Sequence, residues 1–186
     1  MRSLASTFLM VCCYASVGLA AEQDVRVLAT AKTSTMEKEM NQAAEAGFRF
    51  AGVMGGDTAF GGSEVVVVMT RTSEQPRVQY RLLATGKTST MEKELQQAAD
   101  AGFEYRGQTV FKSTFGGKEV AVILERDKST APARYRYHVL ATNKTSTMEK
   151  ELRDATAAGY EFVGMTVGKT LIGGEEVVCI LRKRAE

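Results

Sequence analysis

Apolar positions along this chain change period in a fixed order. From Tyr80 to Thr85 a short run around Leu82 and Leu83 predicts a strand. Met91, Leu95, Ala98 and Ala99 then recur at helical spacing and give one apolar stripe. Ser89 followed three residues later by Glu92 reads as a capping box opening that helix, and Gly102 as its left-handed stop. Phe103 and Tyr105 next alternate with Glu104 and Arg106, the period of a half-buried strand. The pair Gly116-Gly117 supplies turn residues, and Val120 to Leu124 is the return strand. The predicted unit is βαββ.

The same order occurs three times. Lys-Thr-Ser-Thr-Met-Glu-Lys-Glu stands at Lys32–Glu39, Lys87–Glu94 and Lys144–Glu151. Offsets of 55 and 57 residues then align Gly47, Gly102 and Gly159, and further on Gly52, Gly107 and Gly164, without a gap. Self-similarity at such a period marks a repeat architecture. The units are residues 24–71, 80–126 and 137–183, joined by connectors 72–79 and 127–136 that hold both prolines of the chain, Pro76 and Pro132.

The third strand of each unit is apolar at every position: Val65 to Met69, Val120 to Leu124, and Val177 to Leu181. Successive strand residues face opposite ways, so both faces of each sheet need cover, and one helix covers only one. A unit of 47 or 48 residues is also marginal without disulfides or a metal. The expected fold is therefore α+β, with three tandem βαββ units. Each is a three-stranded, mostly antiparallel sheet with one helix, packed sheet-to-sheet with approximate threefold pseudo-symmetry. A partner sheet from another copy, and so a homo-oligomer, is the alternative cover.

Ala46-Gly47-Phe48, Ala101-Gly102-Phe103 and Ala158-Gly159-Tyr160, with Arg71, Arg126 and Lys183 at the strand ends, give the chain a likeness. It resembles the bacterial family catalogued as domain of unknown function 4177, across all three units but not the connectors. That family usually carries a tryptophan after the helix glycine, where this chain has Phe or Tyr. The resemblance implies a βαββ fold and brings no activity.

Residues 1–20 form a separate segment. Arg2 precedes an apolar stretch from Leu4 to Val17, and Gly18 and Ala20 frame a cleavage point, the layout of a secretory signal peptide. The expected location is secreted or periplasmic. Removing the segment takes Cys12 and Cys13 with it and leaves only Cys179, so stability is expected to come from packing without an internal disulfide. Cys179 reads as a small buried hydrophobe.

Composition narrows the chemistry. With 24 Lys plus Arg against 22 Asp plus Glu, the net charge of +2 is too small to be a nucleic-acid footprint. One histidine and no Cys/His cluster leave a metal site or a His-based triad very hard to build, so no metal and no cofactor is expected. Gly164 to Thr170 has only three residues between its glycines and leads into a hairpin rather than a helix, so it is not a phosphate loop.

One feature resists a purely structural reading. Exposed helix positions differ among the copies, as at Asn41, Gln96 and Arg153, yet eight residues at each helix entry are identical. A lysine in the first helical turn opposes the macrodipole, so Lys38, Lys93 and Lys150 are unexplained, as are Lys32, Lys87 and Lys144 before the helix. The candidate is an anion site at each helix N-terminus. Its residues would be Lys32, Thr33, Thr35 and Lys38; Lys87, Thr88, Thr90 and Lys93; and Lys144, Thr145, Thr147 and Lys150. The functional expectation is an exported, non-enzymatic binding or interaction scaffold with a protein partner. A small-anion-binding module is the alternative, and an enzyme acting at an inter-unit cleft ranks third.

Overall fold

The computed structural model describes residues 24–58, 62–71, 77–112, 118–169 and 175–185. The segment read as a signal peptide and the turn pair Gly116-Gly117 lie outside them. Unit 1 consists of β1 (Val25–Thr30), α1 (Thr33–Glu45), β2 (Phe48–Thr58) and β3 (Gly62–Arg71). Unit 2 has β4 (Val78–Thr85), α2 (Thr88–Asp100), β5 (Glu104–Lys112) and β6 (Lys118–Asp127). Unit 3 has β7 (Tyr135–Thr142), α3 (Thr145–Ala157), β8 (Glu161–Lys169) and β9 (Glu175–Arg184). Each unit is an antiparallel three-stranded sheet with its last strand in the centre: β1-β3-β2, β4-β6-β5 and β7-β9-β8. The expected α+β repeat fold is the one observed.

The helix entry differs from the capping box read in the sequence. Each helix begins two residues earlier, after Lys32, Lys87 or Lys144 in extended conformation, and no side chain caps it. The cause lies just upstream. The Thr30, Thr85 and Thr142 hydroxyls accept the N–H of those lysines at 3.1–3.2 Å and turn the chain into the helix before the serine. At the other end Gly47, Gly102 and Gly159 have φ of 84–86°, the left-handed stop that a residue with a Cβ adopts only under strain.

Register explains how both faces of a sheet are covered. Paired residues share a face, so in unit 2 Val120, Val122 and Leu124 lie under α2 while Ala121 and Ile123 point away. Ala121 and Ile123 do not reach water. They pack into the core of unit 1 with Met36, Met40, Val67 and Met69. Val178 and Ile180 of unit 3 enter the core of unit 2 in the same way. The sheets thus stack in sequence, the bare face of each unit against the helix-bearing face of the unit before it.

A one-residue bulge in β2, β5 and β8 serves this joint. It separates Phe50 from Gly52, Tyr105 from Gly107, and Phe162 from Gly164. The Phe50 ring sits where a Cβ on Gly107 would be only 3.1 Å away, and the Tyr105 hydroxyl where a Cβ on Gly164 would be 2.0 Å away. Aromatic into glycine is the recurring contact of the stack.

Candidate functional site

Two groups of side chains carry the polar chemistry of the chain: the helix entries read from the sequence, and the joints between units.

At the entries Lys32 is the N-cap residue and Thr33, Thr35 and Lys38 fall within the first two turns of α1, with the matching residues on α2 and α3. Lys32, Lys38, Lys87, Lys93, Lys144 and Lys150 are all exposed. Thr33, Thr35, Thr88, Thr90 and Thr147 are half-buried, and Thr145 is exposed. None of these lysines forms an ion pair among the described residues, so charge pairing does not account for them. The Lys32 carbonyl accepts the N–H groups of Thr35 and Met36 at 3.1 Å, and the Lys32 side chain caps none of the first-turn amides. Among the described residues no hydrogen bond links one entry to another.

The repeated glutamate within that segment has a different task. A Glu37 carboxylate oxygen accepts the N–H of Leu82 in β4 at 2.8 Å, and a Glu92 oxygen accepts that of Val139 in β7 at 2.8 Å. Asn41 adds a two-way clasp, donating to the Tyr80 carbonyl at 3.0 Å and accepting the Tyr80 N–H at 2.9 Å. Gln96 does the same for Tyr135 and Tyr137 at 3.2 Å. α1 and α2 therefore each grip the outer edge of the next unit's first strand, where backbone groups would otherwise lack partners. Removing Glu37 strands the half-buried Leu82 N–H. The Glu37→Ala variant is expected to lose about 1–2 kcal/mol in urea denaturation. Glu149→Ala should lose no more than about 0.5 kcal/mol, because among the described residues Glu149 pairs only with exposed Arg153 on its own helix.

The first joint also holds a buried charge that the sequence reading missed. Glu125, 2% exposed, receives Arg49 from β2 at 2.7 Å, Arg106 from β5 at 2.9 Å and the Tyr80 hydroxyl at 2.9 Å. Burial alone would raise the Glu125 pKa. The Arg49 hydrogen bond, the Arg106 charge and the Tyr80 hydroxyl outweigh it and hold the carboxyl below its usual range. Burial also pushes the Tyr80 hydroxyl up, so it stays a donor to Glu125, and the same oxygen accepts the Phe50 N–H at 2.8 Å. Both carboxylate oxygens are engaged, so Glu125 acts as a register pin between units. Its signal in the sequence was faint: the matching positions are Thr70 and Arg182, so it breaks the repeat.

Unit 3 carries an open cavity of about 590 Å3 lined by Arg136, Lys183, Arg184 and the α3 terminus at Ala158 and Gly159. In unit 2 the matching spot is filled, since Pro132 of the connector lies against Gly102. Cys179 is fully buried and burial pushes its thiol pKa up, in keeping with a packing role. Among the described residues no three His, Cys, Asp or Glu side chains are placed to hold a metal ion. Nor is any described helix long and apolar enough to cross a membrane.

No protein-family model matches the chain, and comparisons with curated proteins and with solved structures likewise give no match.

Proposed function

We propose that this protein is an exported, non-enzymatic scaffold: three units locked into one rigid stack that presents its surface to a protein partner. The observation that carries this reading is the use made of the repeated helix residues. Glu37 and Glu92, identical in every copy, are committed to holding the next unit's strand. The buried Glu125 cluster is likewise committed to a joint. Polar groups at the joints thus serve rigidity. The likeness to the family of unknown function adds a fold and no reaction. A broad hydrolase and transferase panel on purified protein tests the reading. A turnover abolished by one point substitution that leaves the fold intact would refute it.

One observation favours a second role for the same scaffold, as a small-anion binder. Three helix entries have first-turn amides with no side-chain cap and exposed lysines beside them. Phosphate, sulfated glycans and small dicarboxylates can be screened by thermal shift. A bound anion at a hundred times its Kd adds about 2.7 kcal/mol. The expected result is a rise in Tm that disappears when Lys32, Lys87 and Lys144 are together replaced by alanine. A rise of equal size in the triple variant would place the anion elsewhere, the basic cavity of unit 3 being the first alternative.

A further inference from the structure

The joint repeated inside the chain leaves one half of itself open at each end of the stack. At the unit 3 end, Phe162 occupies the position of Phe50 and Tyr105, whose rings sit on a glycine of the next unit. Among the described residues no unit packs on it, and Phe162 is 47% exposed, beside Met165 at 65% and Val167 at 58%. Register places all three on the helix-bearing face of sheet β7-β9-β8, opposite Leu181, Cys179 and Val177. At the unit 1 end, Gly52 matches Gly107 and Gly164, but a Cβ built on it meets nothing within 4 Å. Around it on the bare face lie Val25, Val27 and Met54, all exposed, where unit 2 buries Tyr80 and Ile123.

We propose that these two ends are the halves of one further joint, and that copies of this chain associate head to tail, Phe162 of one seating on Gly52 of the next. The argument for a second copy as occupant is continuity with the joints inside the chain. A surface shaped to receive a Phe50-type ring is free at one end, and a ring of that type is free at the other. Such a contact is heterologous, with different surfaces on the two partners, so it propagates or closes into a ring but does not stop at a symmetric dimer. The charge pattern permits it: Glu161 stands where Arg49 does, and faces the uncharged Thr70 where Arg49 faces Glu125. It is also weaker than the internal joints. Val25 has no hydroxyl where Tyr80 and Tyr137 bond a bulge amide, and Arg153 and Thr156 replace the apolar or amide side chains of α1 and α2. Reversible, concentration-dependent association follows, independent of either binding role above.

Two substitutions separate the ends. Phe162→Glu removes the ring from a half-exposed position, and Gly52→Leu fills the receiving surface at a place where the single chain has open space. Sedimentation velocity on protein recovered from an exporting host, up to about 1 mM, reads the mass. The wild type is expected to rise beyond dimer mass with concentration, and each variant alone to stay monomeric with unchanged circular dichroism. A one-to-one mixture of the two variants is expected to give dimers and nothing larger, because each supplies the one end the other retains. A monomeric wild type throughout, association persisting in either variant alone, or a mixture that stays monomeric would each overturn the proposal. If Phe162→Glu fails to fold, Phe162→Ser takes its place in the same scheme.

Discussion

Replacing Glu125 by alanine is expected to cost about 3 kcal/mol, read as a lowered urea midpoint at unchanged slope. The carboxylate is buried, and its loss leaves Arg49 and Arg106 facing each other across the first joint. Breaking such a pair typically costs about 3–5 kcal/mol. Both guanidiniums are slightly more than one third exposed, so water screens them and the lower end applies. The same residue sets a pH dependence. Its folded pKa lies below the ordinary 4.5, so its contribution is fully present above that value. It is lost as pH falls from 4.5 through the folded pKa. Stability of Glu125→Gln should lack this component, and an acid profile that keeps the wild-type shape in the variant would show that Glu125 is not the pin.

Gly55→Ala is expected to be comparably damaging, at about 3 kcal/mol, the upper part of the range for overpacking a filled interior. A Cβ there would lie 2.2 Å from the Val110 carbonyl oxygen and 2.9 Å from Thr109 Oγ1. The obstacle is backbone in β5, and moving it would break the pairing of Val110 with Val120. Gly52→Ala is the matched control three residues away in the same strand. It meets nothing within 4 Å and should shift stability by no more than about 0.5 kcal/mol. Thermal melts of the two variants side by side check the pair. Equal effects would mean that β2 and β5 are not in contact through Gly55.

Most of the unit itself was legible. The two-residue period at Phe103 and Tyr105 and the helical period from Met91 to Ala99 give β5 and α2 because local burial repeats with local geometry. The helix entry was misread for a physical reason. Ser34 and Glu37 have the spacing of a capping box, but the Thr30 hydroxyl turns the chain into the helix before the serine, and Glu37 accepts instead from Leu82, 45 residues away. Nothing near Glu37 in the sequence marks that donor. The anion candidates sit together at each helix entry because they fall within seven consecutive residues, whereas the Glu125 cluster joins residues from β2, β4, β5 and β6 that no spacing relates.

The order and number of the βαββ units were written in the sequence, because periodicity, glycine placement and exact repetition are local properties of the chain. The all-apolar third strands even required that a second face be covered. Which surface covers it was decided only in three dimensions. Ile123 and Ile180 could have met back to back or front to back, and side-chain polarity is the same in both cases. The choice rests on shape: a bulge that aims Phe50 and Tyr105 outward, and glycines in the next sheet that leave room for them.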